Sequence, residues 1–143
     1  MLRKDYILRM IEMLTEIIAG ILGLIKKGEF DKASKAIDYA YHQLLSEDAA
    51  FFQNIPCNEL TDTLLNEHNY ENGHIEVLSE LFRAQAELFY AQGKFNESRD
   101  YYQKSFTLLN FITENTITFS FDNEMKVNEL KSKIEELNKD LHT

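Results

Sequence analysis

The chain has one cysteine, one proline, no tryptophan and only five glycines in 143 residues. A lone cysteine, Cys57, cannot close a disulfide within the chain. No Cys/His/Asn set surrounds it, so it reads as a small hydrophobe and not as a nucleophile. Scarce glycine and proline leave little material for many tight turns, which favours long helices over many short strands. No apolar run is long enough to cross a bilayer. The uncharged stretch Ile17–Ile25 has nine residues, against the ~20 a spanning helix needs. Arg3 and Lys4 precede an apolar stretch, as in a secretory leader. Asp5, Arg9, Glu12 and Glu16 interrupt it, and no small-residue cleavage site follows. The expectation is a cytoplasmic protein with no membrane segment.

Basic residues are missing from one region. Residues 47–82 hold eight acids and neither Lys nor Arg, in a chain of net charge −9. The rest of the chain therefore sums to −1. That acidic section repels polyanions, which argues against nucleic acid and anionic membranes as partners. It is either a solvated face that aids solubility or a docking surface for a basic partner. Familiar catalytic motifs are absent too: the sequence has no Gly-rich phosphate loop, no HExxH and no CxxC. His42, His68, His74 and His142 match no metal-ligand spacing, although His68 and His74 flank an acidic turn with Glu67, Glu71 and Glu76. Glu12 and Glu16, one helical turn apart beside Arg9, read as a charged helix face and not as an acid/base dyad. The expectation is a protein that is not an enzyme and carries no cofactor and no metal.

What is present is a segment written twice. Residues 28–34 read GEFDKAS and residues 93–99 read GKFNESR. Each glycine follows an apolar helical stretch, and each Phe-containing turn leads into another. Residues 2–27 predict one long helix that is apolar over most of its circumference toward its C-terminal half, which requires burial on several sides. Lys26 and Lys27 suit its negative end, and Gly28 suits the position just past it. A second helix follows at about 30–46, with Ala33, Ile37, Ala40, Tyr41 and Leu44 on one stripe.

The later hairpin spans about 73–112, with Asn72 as a candidate cap and Gly93 as its turn. Between the hairpins, 47–72 reads as an irregular insert. Phe51, Phe52 and Ile55 tuck inward there, Pro56 breaks the chain, and a short helix runs over about 58–68. Residues 113–121, including TITFSF, read as an extended linker. Residues 122–141 read as a final helix with Val127, Leu130, Ile134, Leu137 and Leu141 at heptad-like spacing. That seam either packs on the preceding hairpin or pairs with a second chain.

Residues 79–110 resemble a tetratricopeptide repeat, a helical hairpin with a period of 34 residues. Phe82 takes the large position, Gln85–Ala86 the Leu-small pair, Phe89 the aromatic and Gly93 the turn. Ser98 and Ser105 replace the two alanines, Tyr102 keeps the second aromatic, and Asn110 replaces the proline. Residues 14–45 are similar to the same repeat through Ile17, Leu24, Gly28, Phe30, Ala33, Ile37 and Ala40, with the Leu-small pair reversed as Gly20–Ile21. The opening DYILRMIE also looks like the start of small uncharacterised bacterial proteins with helical-repeat-like folds.

The resemblance implies an all-α fold. Antiparallel helical hairpins would stack as a tetratricopeptide-like right-handed α–α superhelix, with a C-terminal capping helix. It further implies a protein–protein interaction scaffold whose first helices line a groove for a partner's peptide. By position, that groove shows Glu80, Arg83, Glu87 and Tyr90. The corresponding face of the first hairpin shows Ile18, Leu22 and Ile25, flanked by Thr15 and Lys26. Burying each of these three apolar side chains is worth roughly 1.5–3 kcal/mol. Their cover is either another helix of the same chain, such as the last one, or the same helix of a second copy, in a two-fold dimer that would make the protein a self-assembling structural subunit with no peptide-binding groove. Ala19 and Gly23, four apart on one face, permit close helix approach.

Overall fold

The computed structural model describes residues 2–67, 70, 72–115 and 121–141, and every regular element among them is helical. Helix α1 (Leu2–Lys26) turns back into α2 (Phe30–Leu45). A short helix α3 (Ala49–Gln53) and a run of single turns, including α4 (Leu60–Asp62), lead to α5 (Asn72–Ala91). A second hairpin turn joins α5 to α6 (Phe95–Asn115), and α7 (Phe121–Leu141) follows. Among the described residues, no helix is long and apolar enough to cross a membrane.

The repeated segment folds the same way twice. Gly28 and Gly93 both sit at φ 76°, a left-handed conformation that strains any residue with a Cβ. The Gly28 amide donates to the Ile25 carbonyl at 3.0 Å and the Glu29 amide to the Leu24 carbonyl at 2.9 Å. In the second turn, Gly93 donates to Tyr90 at 3.0 Å and Lys94 to Phe89 at 2.8 Å. Shifted by 65 residues (93 − 28), the bonds coincide. They satisfy the last carbonyls of each helix in the 6→1 and 5→2 pattern that ends a helix on a glycine. The next helix starts alike in both hairpins, through Ala33 to Glu29 and Ser98 to Lys94.

Helix α5 is the centre of the molecule. It packs on α1, α2 and α6, while α7 lies against α6. One core cluster joins Met10, Leu14 and Ile21 of α1 to Ile37 and Tyr41 of α2, Phe52 of α3, and Leu78, Leu81 and Phe82 of α5. A smaller one joins Ala86, Tyr102 and Leu109 to Leu130 and Leu137 of α7. The heptad-like seam of α7 therefore packs within the chain.

The resemblance has two serines where the family has alanines, and the structure gives both a reason. Ser98 Oγ donates to the Ala86 carbonyl at 2.8 Å. Ser105 Oγ donates to the Ser79 carbonyl at 2.7 Å, and Ser79 Oγ returns a bond to the Ser105 carbonyl at 2.9 Å. Small side chains let α5 and α6 approach, and the hydroxyls satisfy themselves on backbone instead of remaining unpaired. Gln85, standing at the family's Leu, is buried and accepts from Gln53 Nε2 at 3.3 Å. The insert thus supplies the partner that makes a polar residue tolerable there.

The structure moves several expected boundaries. The linker placed over 113–121 is shorter, because α6 continues to Asn115. Ile112 is buried, and the Thr113 hydroxyl donates to the Leu109 carbonyl at 3.0 Å, which extends the stripe by a further turn. Helix α7 begins at Phe121, one residue before the expected start. The rest of TITFSF, 116–120, lies outside the described residues. Asn72 opens α5 instead of capping it.

The single helix expected at about 58–68 is three successive turns of different pitch. They are 3-10 over Cys57–Glu59, α over Leu60–Asp62 and π over Thr63–Glu67. Leu60 and Leu64 anchor them by full burial. Phe52 and Ile55 are buried and Phe51 half-buried, as the apolar residues of this insert require.

Candidate functional site

Two sets of residues, far apart in sequence, meet at the junction of α1 and α5. A pocket of ≈ 260 Å³ is lined by Ile18 and Leu22 from α1 and by Glu80, Arg83, Ala84 and Glu87 from α5. One wall is apolar and the other charged. Helical spacing builds both: Ile18 and Leu22 are one turn apart, and Glu80, Arg83 and Glu87 recur at 3 and 4. Ala84 forms the floor, buried between the two helices.

The charged wall is already wired to α7. Lys126 Nζ lies 3.5 Å from a Glu80 carboxylate oxygen, and Arg83 meets Glu129 at 3.4 Å. Lys133 Nζ stands 4.8 Å from the centre of the Tyr90 ring, at cation–π distance. Tyr90 also packs edge-on to Phe95 at 5.4 Å. It lies along the same helix but outside the pocket. Glu87 stands beside the buried Tyr102 phenol. Burial, and then the Glu87 carboxylate, push that phenol well above the usual tyrosine range. The hydroxyl makes no hydrogen bond of good geometry.

One turn upstream, burial raises the Glu76 carboxyl above its ordinary value, with Lys126 opposing and Glu80 adding to the shift. The net result is a row of three carboxylates and one guanidinium along α5, flanked by lysines and a glutamate of α7. Such a surface can hold the backbone and charged side chains of an extended or helical peptide.

Of the three apolar residues expected to share one fate, the structure separates one. Ile18 and Leu22 line the pocket, and Leu22 keeps 41% of its surface in water. Ile25 leans on the main core and is not among the pocket's lining residues. Helix α7, named as one intrachain cover for this stripe, packs on α6 instead.

A second hollow of ≈ 630 Å³ lies on the insert, lined by Phe51, Ile55 and Pro56 together with Glu59 and Asp62. It carries two of the eight acids of the acidic section and no basic side chain. Cys57 is half-buried, with its sulfur 3.2 Å from the Thr107 hydroxyl. His74 stacks on Tyr70 at 4.9 Å, while His68 and Glu71 lie outside the described residues. Among the described residues, no group of three His, Cys, Asp or Glu side chains is gathered to hold a metal ion.

No family model, curated protein or solved structure matches this chain significantly. Function therefore has to be argued from the residues themselves.

The contribution of α7 was not read from the sequence. Its apolar seam is plain in the sequence, whereas Lys126, Glu129 and Lys133 reach Glu80, Arg83 and Tyr90 of α5 only in the fold. The signal was available: these three recur at 3 and 4 and form a polar stripe of their own beside the seam.

Proposed function

We propose that the protein is a non-catalytic interaction scaffold of tetratricopeptide-like type, whose α1–α5 face takes a peptide or helix from a protein partner. The observation that carries this reading is the α1–α5 pocket. Half-exposed Ile18 and Leu22 offer an apolar contact directly opposite Glu80, Arg83 and Glu87. An apolar anchor ringed by charged groups is the pattern that favours binding with register. The repeated glycine turn and the small residues between paired helices add support from family resemblance, which speaks to architecture and only by analogy to function.

Capture from a lysate of the native cell tests it, with the wild type and an Arg83→Glu/Glu87→Lys variant as parallel baits. Both side chains are partly exposed, so the variant keeps its helicity and is expected to lose at most about 1 kcal/mol with the Arg83–Glu129 pair. Proteins retained by the wild type and lost by the variant are the expected result. Identical retained sets, or none, would end this reading.

A further inference from the structure

Among the described residues, no helix packs on the outer face of α1. Helix α1 packs on α2 and α5. The opposite side is left in water, with Leu8 at 50% and Leu22 at 41% exposure along one edge and Met13 at 42% on the other. At the far end of the helix stack, α7 covers α6 with its seam and turns charged residues outward. The first helix has no such cover, although the end helices of stacked hairpins need either a polar outer face or a partner.

The centre of this face is bald. Ala19, Gly20 and Gly23 follow one another along it. A Cβ added at Gly20 or Gly23 would meet nothing within 4 Å, so packing inside the chain requires neither glycine. Glycine is among the poorest residues for a helix interior. Two of them within one turn give up helix stability and open the backbone to close approach from outside.

The charges name the occupant. From N- to C-terminus the exposed charges flanking the small stretch are Glu12 and Glu16, negative, on one side and Lys26 and Lys27, positive, on the other. Read backwards, that order is its own complement. Among the described residues, no ion pair engages Glu12, Glu16, Lys26 or Lys27.

We infer that the outer face of α1 is a two-fold interface on which α1 of a second copy lies antiparallel, centred near Ala19 and Gly20. In that register Glu12 and Glu16 face Lys26 and Lys27 of the second copy. Backbones approach at the glycines, and Leu22 and Met13 close the edges. A parallel pairing would set Glu12 on Glu12 and Lys26 on Lys26, which like-charge repulsion opposes. This inference shares only Leu22 with the peptide-binding reading, which rests on Ile18 and the wall of α5.

The solution mass tests it, measured by light scattering at concentrations up to about 1 mM. The wild type is expected at twice the 16.8 kDa chain mass. Gly23→Leu is expected at the single mass with undiminished helicity, because its side chain enters open space and improves helix propensity. Glu12→Lys/Glu16→Lys and Lys26→Glu/Lys27→Glu are each monomeric alone, and an equimolar mixture of the two returns to the double mass. In a Cys57→Ser background, Ala19→Cys oxidises to a covalent dimer. Glu12→Cys crosslinks to Lys26→Cys and not to itself. A monomeric wild type, a dimer that survives Gly23→Leu, or self-crosslinking of Glu12→Cys would each overturn the inference.

Discussion

The two hairpins share one turn and differ in what surrounds them. Gly28 and Gly93 have the same φ and the same hydrogen bonds. Yet α5 buries ten side chains, while the described part of α1 buries only Met10, Leu14 and Ile21. Composition would reverse that ranking. Helix α1 has an uncharged run over Ile17–Ile25, and α5 carries Glu76, Glu80, Arg83 and Glu87. The number of neighbours decides burial. Helix α5 is held by α1, α2 and α6 and reached by side chains of α7, whereas α1 has α2 and α5 on one side and water on the other. A helix can be apolar around most of its girth and still be a surface.

The sharpest way to break this comparison is to truncate one apolar side chain in each helix. Phe82 is fully buried, with ring centroids 6.3 Å from Tyr41 and 5.7 Å from Tyr101 and Lys104 Nζ at 5.7 Å over its face. Phe82→Ala is expected to cost about 3–5 kcal/mol. Leu22→Ala in dilute protein is expected to cost less than about 1 kcal/mol, since much of its surface is already in water. Urea midpoints at constant slope measure both. Equal costs would mean that the two helices are equally enclosed.

Glycines give the second test, because the same substitution should change sign with position. Gly28→Ala and Gly93→Ala force a Cβ into the left-handed region and are expected to lose about 1–2 kcal/mol each. Gly20→Ala and Gly23→Ala fill open space in a helix interior and are expected to gain about 0.5–1 kcal/mol each in dilute, monomeric protein. Thermal melts followed by helical circular dichroism read all four. A loss at Gly23 would show that its bare backbone is packed within the chain.

Much of this architecture was legible from the sequence, and the reason is local. Helices α1, α2 and α5 fall within about two residues of their expected ends, because 3.6-residue periodicity and glycine stops act within one helix. The insert was less legible. Three short turns of different pitch look like one short helix when only Leu60, Leu64 and Leu65 mark the inner side. Partners distant in sequence were not legible at all. Gln85 reads as a defect in the repeat until Gln53 is seen beside it, and Ser105 as a poor alanine until Ser79 faces it. The site residues followed the same rule. Glu80, Arg83 and Glu87 follow by position from the tetratricopeptide resemblance, but the pairing of Glu80 with Lys126 and of Arg83 with Glu129 requires the fold.

The serine pair offers a finer contrast within the well-covered hairpin. Ser79 and Ser105 each donate to the other's carbonyl across α5 and α6. Ser105→Ala removes one of these bonds and leaves the Ser79 carbonyl with its own helical amide, so the expected cost is about 1 kcal/mol. The double variant Ser79→Ala/Ser105→Ala is expected to cost less than the sum of the singles, because the second change removes a hydroxyl that has already lost part of its setting. A double-mutant cycle by chemical denaturation measures the coupling. Strict additivity would mean that the hydroxyls act separately and that smallness alone matters here.

The smallest expected effect separates charge from burial in α5. Burial raises the Glu76 carboxyl above its ordinary value of 4.5, and Lys126 only partly offsets this. A carboxyl whose folded pKa lies above its unfolded one binds its proton more tightly in the native state. Stability then falls as pH rises through the window between the two values, and the full penalty is present at neutral pH. Glu76→Gln keeps the shape and removes the charge, so it should be more stable than the wild type at pH 7. The gain should fade as pH drops below about 4.5, where both states of the wild type are protonated. Melting curves of both proteins across that range test the sign. If Glu76→Gln is instead less stable at pH 7, the attraction of Lys126 outweighs desolvation, and α5 gains from this charge even though it is partly buried.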